Sequence, residues 1–411
     1  RLFVNDSNKN SVHVIDPQTN AYINAINVGV TPVVPESSYD GSLVFVGNYN
    51  SNNISVIDAN TLSVVSVINN VVAPRVLAAS PGTNNLLVLG GDGRITLVAV
   101  AKAVSDPENS VVRSLYLPFP LGEGNSEPLS LAFSSDGGSL YILARDFQTN
   151  RVRVYVFDGP RYLTEGNAAL LSSFLAPWGA GITGVFDSII FQSGSGSQRA
   201  YVCDLNMVAI VDTYTHSIMQ TVALPFTLRA WKSRPDGAFI YGIASSSPNV
   251  VNAPVFAFDP LSMSTVSTIA AGLPTNPAPW GLDTAPDNDT VFVNINRSFV
   301  WEIAKLSIMS GAVTNRITMS GASRPRGVIL SVPRAAPPPD LIAPSQIALA
   351  LAAVPAAANS ISYTWTAVGD DADAGTASAY DFRFATYPIT SQQSFGAAQR
   401  AALPSPRTSG T

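Results

Sequence analysis

Short apolar runs broken by turn residues fill most of the chain. The stretch SVHVIDPQTNAYINAINVG, residues 11–29, sets Val12 and Val14 two apart, stops at Asp16, turns on Pro-Gln-Thr-Asn and runs a second strand to Gly29. That spacing predicts short β-strands joined by a hairpin. A second copy, NISVIDANTLSVVSVINN at 53–70, begins 42 residues later. The same strand recurs as VHVID (12–16), ISVID (54–58), ITLVAV (95–100), VYVFD (154–158), VAIVD (208–212), VFAFD (255–259) and VWEIAK (300–305), seven in all. Each follows another β-rich segment: LFVND (2–6), LVFVGN (43–48), LLVLGG (86–91), LYILAR (140–145), AYVCDL (200–205), FIYGIA (239–244) and VFVNIN (291–296). Turn signals separate the blocks, including YDG at 39–41, SSDGG at 134–138 and RPDG at 234–237.

A period of about 40–50 residues with four short strands per unit is the spacing of propeller blades. The first repeat lacks an innermost strand, and SRPRGVILSV (323–332) matches the segments that supply one elsewhere, TPVVPESS (31–38) and APRVLAAS (73–80). Residues 323–332 are therefore expected beside residues 2–6, closing a seven-bladed all-β ring and removing two open sheet edges. Asp16, Asp58, Asp158, Asp212 and Asp259 each end a strand before a turn. A carboxylate there accepts backbone N–H groups of the turn, so these five are expected to pin hairpins rather than do chemistry.

LFVNDSNKNSVHVIDPQTNAYINAINVGVTPVVPESSYDGSLVFVGN resembles the YVTN-type propeller repeat of surface-layer proteins and of relatives of the lactonase propellers. The first two blades carry its strand–Asn, SVID, Thr-Asn turn, Pro and Asp-Gly pattern; later blades drift, and the fourth is expanded by residues 161–184. The resemblance implies the fold over residues 1–334 and leaves activity open, because propellers host many functions. Residues 335–344 read as a proline-rich, semi-rigid linker. From 345 to 411, YTWTA and AYDFRFAT resemble the second and third strands of a fibronectin type III sandwich, with Trp365, Tyr380 and Phe382 or Phe384 inward. This stretch is short of a complete sandwich, so the chain is expected to continue beyond Thr411.

Composition narrows the functional classes. Apolar residues make up 46% and charged residues 12%, with a net charge of -5, so surface polarity falls to Ser, Thr, Asn and Gly. Nucleic acid is excluded as a partner because no basic cluster exists. No stretch reaches the 18 or so apolar residues of a membrane helix. Cys203, in AYVCDL, reads as a small buried hydrophobe. His13 and His216 are the only histidines, sit in different repeats and are expected on the perimeter; no metal or cofactor is expected from them.

The remaining candidates lie where inner strands begin. Arg75, Trp280 and Arg326 follow Pro74, Pro279 and Pro325, and Arg229 takes the same position after Leu228. This position lies around the mouth of a propeller's channel, where three guanidiniums would hold a carboxylate or another anion by paired bonds. Glu36, Glu127 and Asp283 are their candidate partners, or bases if the protein is an enzyme. Trp178, Trp231 and Trp280 are candidate stacking platforms. Asp370, Asp371 and Asp373 in GDDADAG are weak calcium candidates, lacking the Gly and distal Glu of a calcium loop. Asn5, Asn53, Asn288 and Asn296 head glycosylation sequons near hairpin ends.

These features together favour a non-catalytic extracellular module, a propeller scaffold at the cell surface contacting other protein domains or glycans in a layer, sheath or filament. A lactonase- or lyase-like enzyme, or a receptor for a small anion or glycan at the channel mouth, are the alternatives.

Overall fold

The computed structural model describes residues 1–331 apart from 82, 84, 118–125, 147–150, 179–188, 194–198, 205, 245–254, 270–280 and 298–299, together with 350–351, 363–364, 383–384 and 399–400. The chain divides into two compact units, Arg1–Ala336 and Pro337–Thr411. In the second, Ala350 and Leu351 pair with Thr364 and Tyr363, and Arg383 and Phe384 pair with Arg400 and Gln399. Trp365, Tyr380, Phe382 and the candidate calcium ligands Asp370, Asp371 and Asp373 lie outside the described residues.

The first unit is a seven-bladed β-propeller. Seven four-stranded antiparallel sheets are each traced from the innermost to the outermost strand. The inner strands are Pro325–Leu330, Glu36–Ser37, Pro74–Ala79, Ser126–Phe133, Ile189–Phe191, Leu228–Ser233 and Gly281–Thr284 for blades 1 to 7. Each inner strand touches the next, and the last touches the first, so they ring a central channel. Blade 1 closes as its sequence implies: Leu2, Phe3 and Val4 pair with Leu330, Ile329 and Val328.

Period-two alternation builds the seams between blades. Leu2 and Val4 face blade 7 with Ile303 and Trp301, while Phe3 between them faces blade 2 with Val44 and Val46. The same division repeats at every seam, giving seven apolar clusters. Each large side chain so buried contributes about 1.5–3 kcal/mol.

The strand-end aspartates act as expected. The Asp16 carboxylate accepts the N–H groups of Gln18 (2.9 Å) and Thr19 (3.4 Å). Asp58 accepts those of Asn60 and Thr61 (both 2.8 Å), Asp212 those of Tyr214 (2.7 Å) and Thr215 (2.8 Å), and Asp259 those of Leu261 (2.6 Å) and Ser262 (3.3 Å). Four of these turns end in a left-handed residue, Asn20, Leu62, His216 or Met263, with φ of 53–56°. Asp158 differs: it caps the short helix Gly159–Glu165 through the Arg161 N–H at 3.0 Å, and that helix opens the expanded part of blade 4.

Every outer strand carries one extra residue against its neighbour, a β-bulge. In blade 1, Val14 pairs with Asn24 and Ile15 with Tyr22, so Ile23 is extra. The same step leaves Val65, Val112, Leu171, Met219, Val266 and Thr314 extra in blades 2 to 7. Bulging turns these side chains outward: Ile23 is 39% exposed, Val65 39%, Val112 57%, Met219 53% and Val266 55%.

Candidate functional site at the channel mouth

The proline-aligned position turns out to be a second set of bulges, on the inner strands. In blade 3, Pro74 pairs with Gly90 and Val76 with Leu89, leaving Arg75 extra. In blade 6, Leu228 pairs with Ala244 and Ala230 with Ile243, leaving Arg229 extra. In blade 1, Pro325 pairs with Asp6 and Val328 with Val4, so Arg326 and Gly327 together oppose Asn5. Blade 4 has Leu129 at this position, and blade 2 has Val33, directly after Pro32, which bridges to Asn48. Because the inner strands run in one direction, these residues share one end of the channel. Trp280, the blade 7 counterpart, lies outside the described residues.

Arg229 and Arg326 are half-buried and Arg75 is exposed. Burial lowers the pKa of the Arg229 and Arg326 guanidiniums; for Arg326 the neighbouring charges of Arg324 and Arg229 lower it further. Two blades therefore bring like charges into one another's field.

Of the candidate carboxylates, Asp283 holds backbone. Asp283, a candidate base, accepts the N–H of Leu330 at 2.7 Å and that of Thr284 at 2.9 Å, tying blade 7 to the closing strand. Glu36 sits in the short inner strand of blade 2 opposite Phe45; nothing is described of the Glu127 side chain. Asn5 is 1% exposed and bridges three segments, donating to Pro32 O (2.8 Å) and accepting from Gly327 N (2.8 Å). That corrects its place among the glycan acceptors, since its amide nitrogen is fastened inside the ring. Asn296 is also buried, at 7% exposed. Asn53 accepts from Asn48 at 2.8 Å, and Asn288 accepts from Asp236 N at 3.1 Å.

Three further expectations are corrected by burial. Trp231 is wholly buried beside Tyr201 in the seam of blades 5 and 6, and Trp178 is 8% exposed in the seam of blades 4 and 5, so neither offers a face for stacking. His13 does not lie on the perimeter. It is 2% exposed, with Nε2 3.5 Å from the buried Asp6 carboxylate and Nδ1 3.1 Å from Tyr22 Oη. His216 lies in its turn with Nδ1 3.3 Å from Tyr141 Oη. Cys203 is buried as expected, and burial pushes its thiol far above the ordinary range.

One residue escaped notice in the sequence. Asp204 ends the second strand of blade 5 and, by alternation with Ala200 and Val202, faces blade 4. It is 6% exposed, and its carboxyl is pushed up to about 6 by burial, with Arg145 of blade 4 pulling the other way. Its counterpart in blade 1 is Asp6: both end a second strand beside the mouth. The only sequence signal was a charge at the end of an otherwise apolar strand. Among the described residues no group of three or more His, Cys, Asp or Glu side chains is placed to hold a metal.

No family model matches the chain, and no curated protein matches it. Solved structures do. A functionally unknown protein from Desulfotomaculum acetoxidans aligns over 81% of this chain and 99% of its own, at 18% identity and a TM-score of 0.59. Dihydro-heme d1 dehydrogenase NirN aligns over 80% of this chain and 74% of its own, at 13% and 0.56. Apo AztD from Citrobacter koseri aligns over 82% and 99%, at 14% and 0.54. At these identities the likeness shows the propeller fold alone. No described helix is long and apolar enough to cross a membrane.

Proposed function

We propose that the protein is a non-catalytic structural module of an extracellular layer, sheath or filament, in which the propeller's rim packs against neighbouring copies of the chain. The observation that carries this reading is the ring of outward apolar bulge residues. Ile23, Val65, Val112, Met219 and Val266 stand at one equivalent position on five blades. The seven outer strands contain only two charged residues, Arg113 and Arg316. Arg113 donates inward to Tyr162 O and Thr164 O of its own blade 4 neighbour. Sheet edges of isolated proteins are usually blunted by lysines or prolines. Here the bulges limit continuous strand pairing while presenting apolar knobs, and scattered equivalent knobs suit neighbours that approach from several sides, as in a layer. A single partner would need one larger patch.

The repeat's resemblance to YVTN-type surface-layer propellers, the low charge and the fibronectin-like stretch after 345 support the same reading. Light scattering and electron microscopy of the native protein test it. The expected result is repeating assemblies that Val65→Lys with Val112→Lys disperses into single discs, without changing the unfolding midpoint. Single discs in the unaltered protein at every concentration would overturn it.

A further inference from the structure

The outward bulge residues are not alike all the way round the rim. The seven positions hold Ile23, Val65 and Val112 on blades 1 to 3, Leu171 on blade 4, Met219 and Val266 on blades 5 and 6, and Thr314 on blade 7. Two of them break the apolar series. Thr314 is polar, and its strand also carries Arg316. Leu171 is half-buried, and the insertion before its strand carries the Arg161–Glu165 ion pair. Blade 4 exposes Leu170 instead, at the first residue of the strand rather than at the bulge. The apolar knobs therefore form two arcs, one of three blades and one of two, parted by blades 4 and 7. Apart from Arg113, which donates to Tyr162 O and Thr164 O, the outer strands of the two arcs hold no charged residue.

The placing of the arcs follows from the blade number. The seven inner strands touch in ring order, so successive blades stand about 51° apart. One arc is centred on blade 2 and the other midway between blades 5 and 6. These centres lie three and a half blades apart either way round, which is half a turn. An odd number of blades also sets a knob opposite a gap: Val65 on one side, the space between Met219 and Val266 on the other. Two discs edge to edge therefore mesh when the larger arc of one meets the smaller arc of the next, because Val65 enters between Met219 and Val266 with Ile23 and Val112 outside them. Larger arc against larger arc sets Val65 on Val65, and smaller against smaller sets gap on gap, and neither packs as an interface core does.

We propose that copies of this chain join head to tail in straight rows, the blade 1–3 arc of each disc against the blade 5–6 arc of the next. The inference rests on the rim assembly proposed above and names its contact. A contact between unlike surfaces leaves one free arc at each end of a row, and arcs half a turn apart keep the row from closing into a small ring. The row is thus the unit from which a filament or a layer grows.

Two variants, each blocked in one arc, test this: Val65→Lys with Val112→Lys, and Met219→Lys with Val266→Lys. Light scattering is made at a concentration where the unaltered protein assembles. Either variant alone should give single discs. Equal amounts of the two, mixed, should give particles of twice that mass and no larger, since each keeps the arc that the other lacks. Thr314→Lys, in the blade 7 gap, should leave the assemblies unchanged. Thermal unfolding of each variant separates a lost contact from a lost fold. A doubled mass in either variant alone would show like arcs pairing and overturn the proposal, as would no doubling on mixing, assemblies that survive in either variant, or dispersal by Thr314→Lys. Each of those results leaves the rim reading standing. Single discs in the unaltered protein at every concentration would overturn the rim reading, and this inference with it.

Discussion

Replacing Asp6 by alanine should open the ring at its seam. The Asp6 side chain has no exposed surface. Its carboxylate accepts the N–H groups of Ser323 (2.5 Å) and Arg324 (3.0 Å) from the closing segment, and those of Asn8 (3.1 Å) and Lys9 (3.2 Å) from its own hairpin, with His13 Nε2 at 3.5 Å. Hydrogen bonds to a charged group contribute about 1.5–3 kcal/mol each, and breaking a buried charged network costs about 3–5 kcal/mol in total. Asp6→Ala should therefore lose about 3–5 kcal/mol, against about 1 kcal/mol for Asp58→Ala, whose turn is open to water. Urea unfolding followed by tryptophan fluorescence gives the totals. Amide exchange gives the location: Val328 and Ile329 should lose protection before Val44 and Val46 of blade 2. The pH dependence is a second signature. Burial alone would raise the Asp6 pKa, but His13 and the N–H groups of Ser323, Arg324 and Asn8 outweigh it, so the folded value lies below the usual one. That contribution is complete above the unfolded pKa of about 3.9 and fades as pH falls through the folded value; Asp6→Ala should lack this part of acid unfolding. Equal losses for Asp6→Ala and Asp58→Ala, or exchange that rises evenly over all blades, would refute the reasoning.

Other outcomes follow from the same structure. Asp204 has the opposite sign: its raised folded pKa means that stability falls as pH rises from about 4 to about 6, so Asp204→Asn should gain on the unaltered protein between pH 5 and pH 8, by about 1–2 kcal/mol. Parallel melting curves at the two pH values check this, and a difference independent of pH would contradict it. Gly237 lies at φ +73°, and a Cβ there would collide with Ser193 O. Gly237→Ala should cost about 1–2 kcal/mol from backbone strain and more from the collision, read as a lower urea midpoint; an unchanged midpoint would show that the turn yields freely. The paired lysine substitutions at Val65 and Val112 should alter native mass while shifting stability by no more than about 0.5 kcal/mol.

The hydrophobic pattern predicted blade number, strand pairs and closure because each rests on local periodicity, and Leu2, Phe3 and Val4 already show the alternation that divides two seams. The Asp turns were legible for the same reason, except that Asp158 preceded Gly-Pro and began a helix. Burial was less legible where it depends on other blades. His13 reads as a polar strand residue until Asp6 and Tyr22 close around it, and Asn5 reads as a sequon until the inner strands of blades 1 and 2 reach it. The prolines aligned Arg75 and Arg326, but the bulges that give those arginines a common setting are properties of strand pairing, invisible along one strand. Asp204 took its meaning only from its burial against blade 4, which raises its carboxyl while Arg145 of that blade pulls the other way.

The closing strand also sets a timetable. Leu2–Asp6 is made before its inner partner Pro325–Leu330, which comes about 320 residues later. At roughly 5–20 residues per second, that interval is roughly 16–64 s on the ribosome. Throughout it, blades 2 to 7 can stack one after another as they emerge, while the first blade has an unpaired edge and half a seam exposed to whatever is near. The last contact made is the one of longest sequence separation, so its closure entropy is met only when all other seams already hold the ends together. Birth order thus makes the first blade the most vulnerable of the seven in the nascent propeller and the last of them to become native.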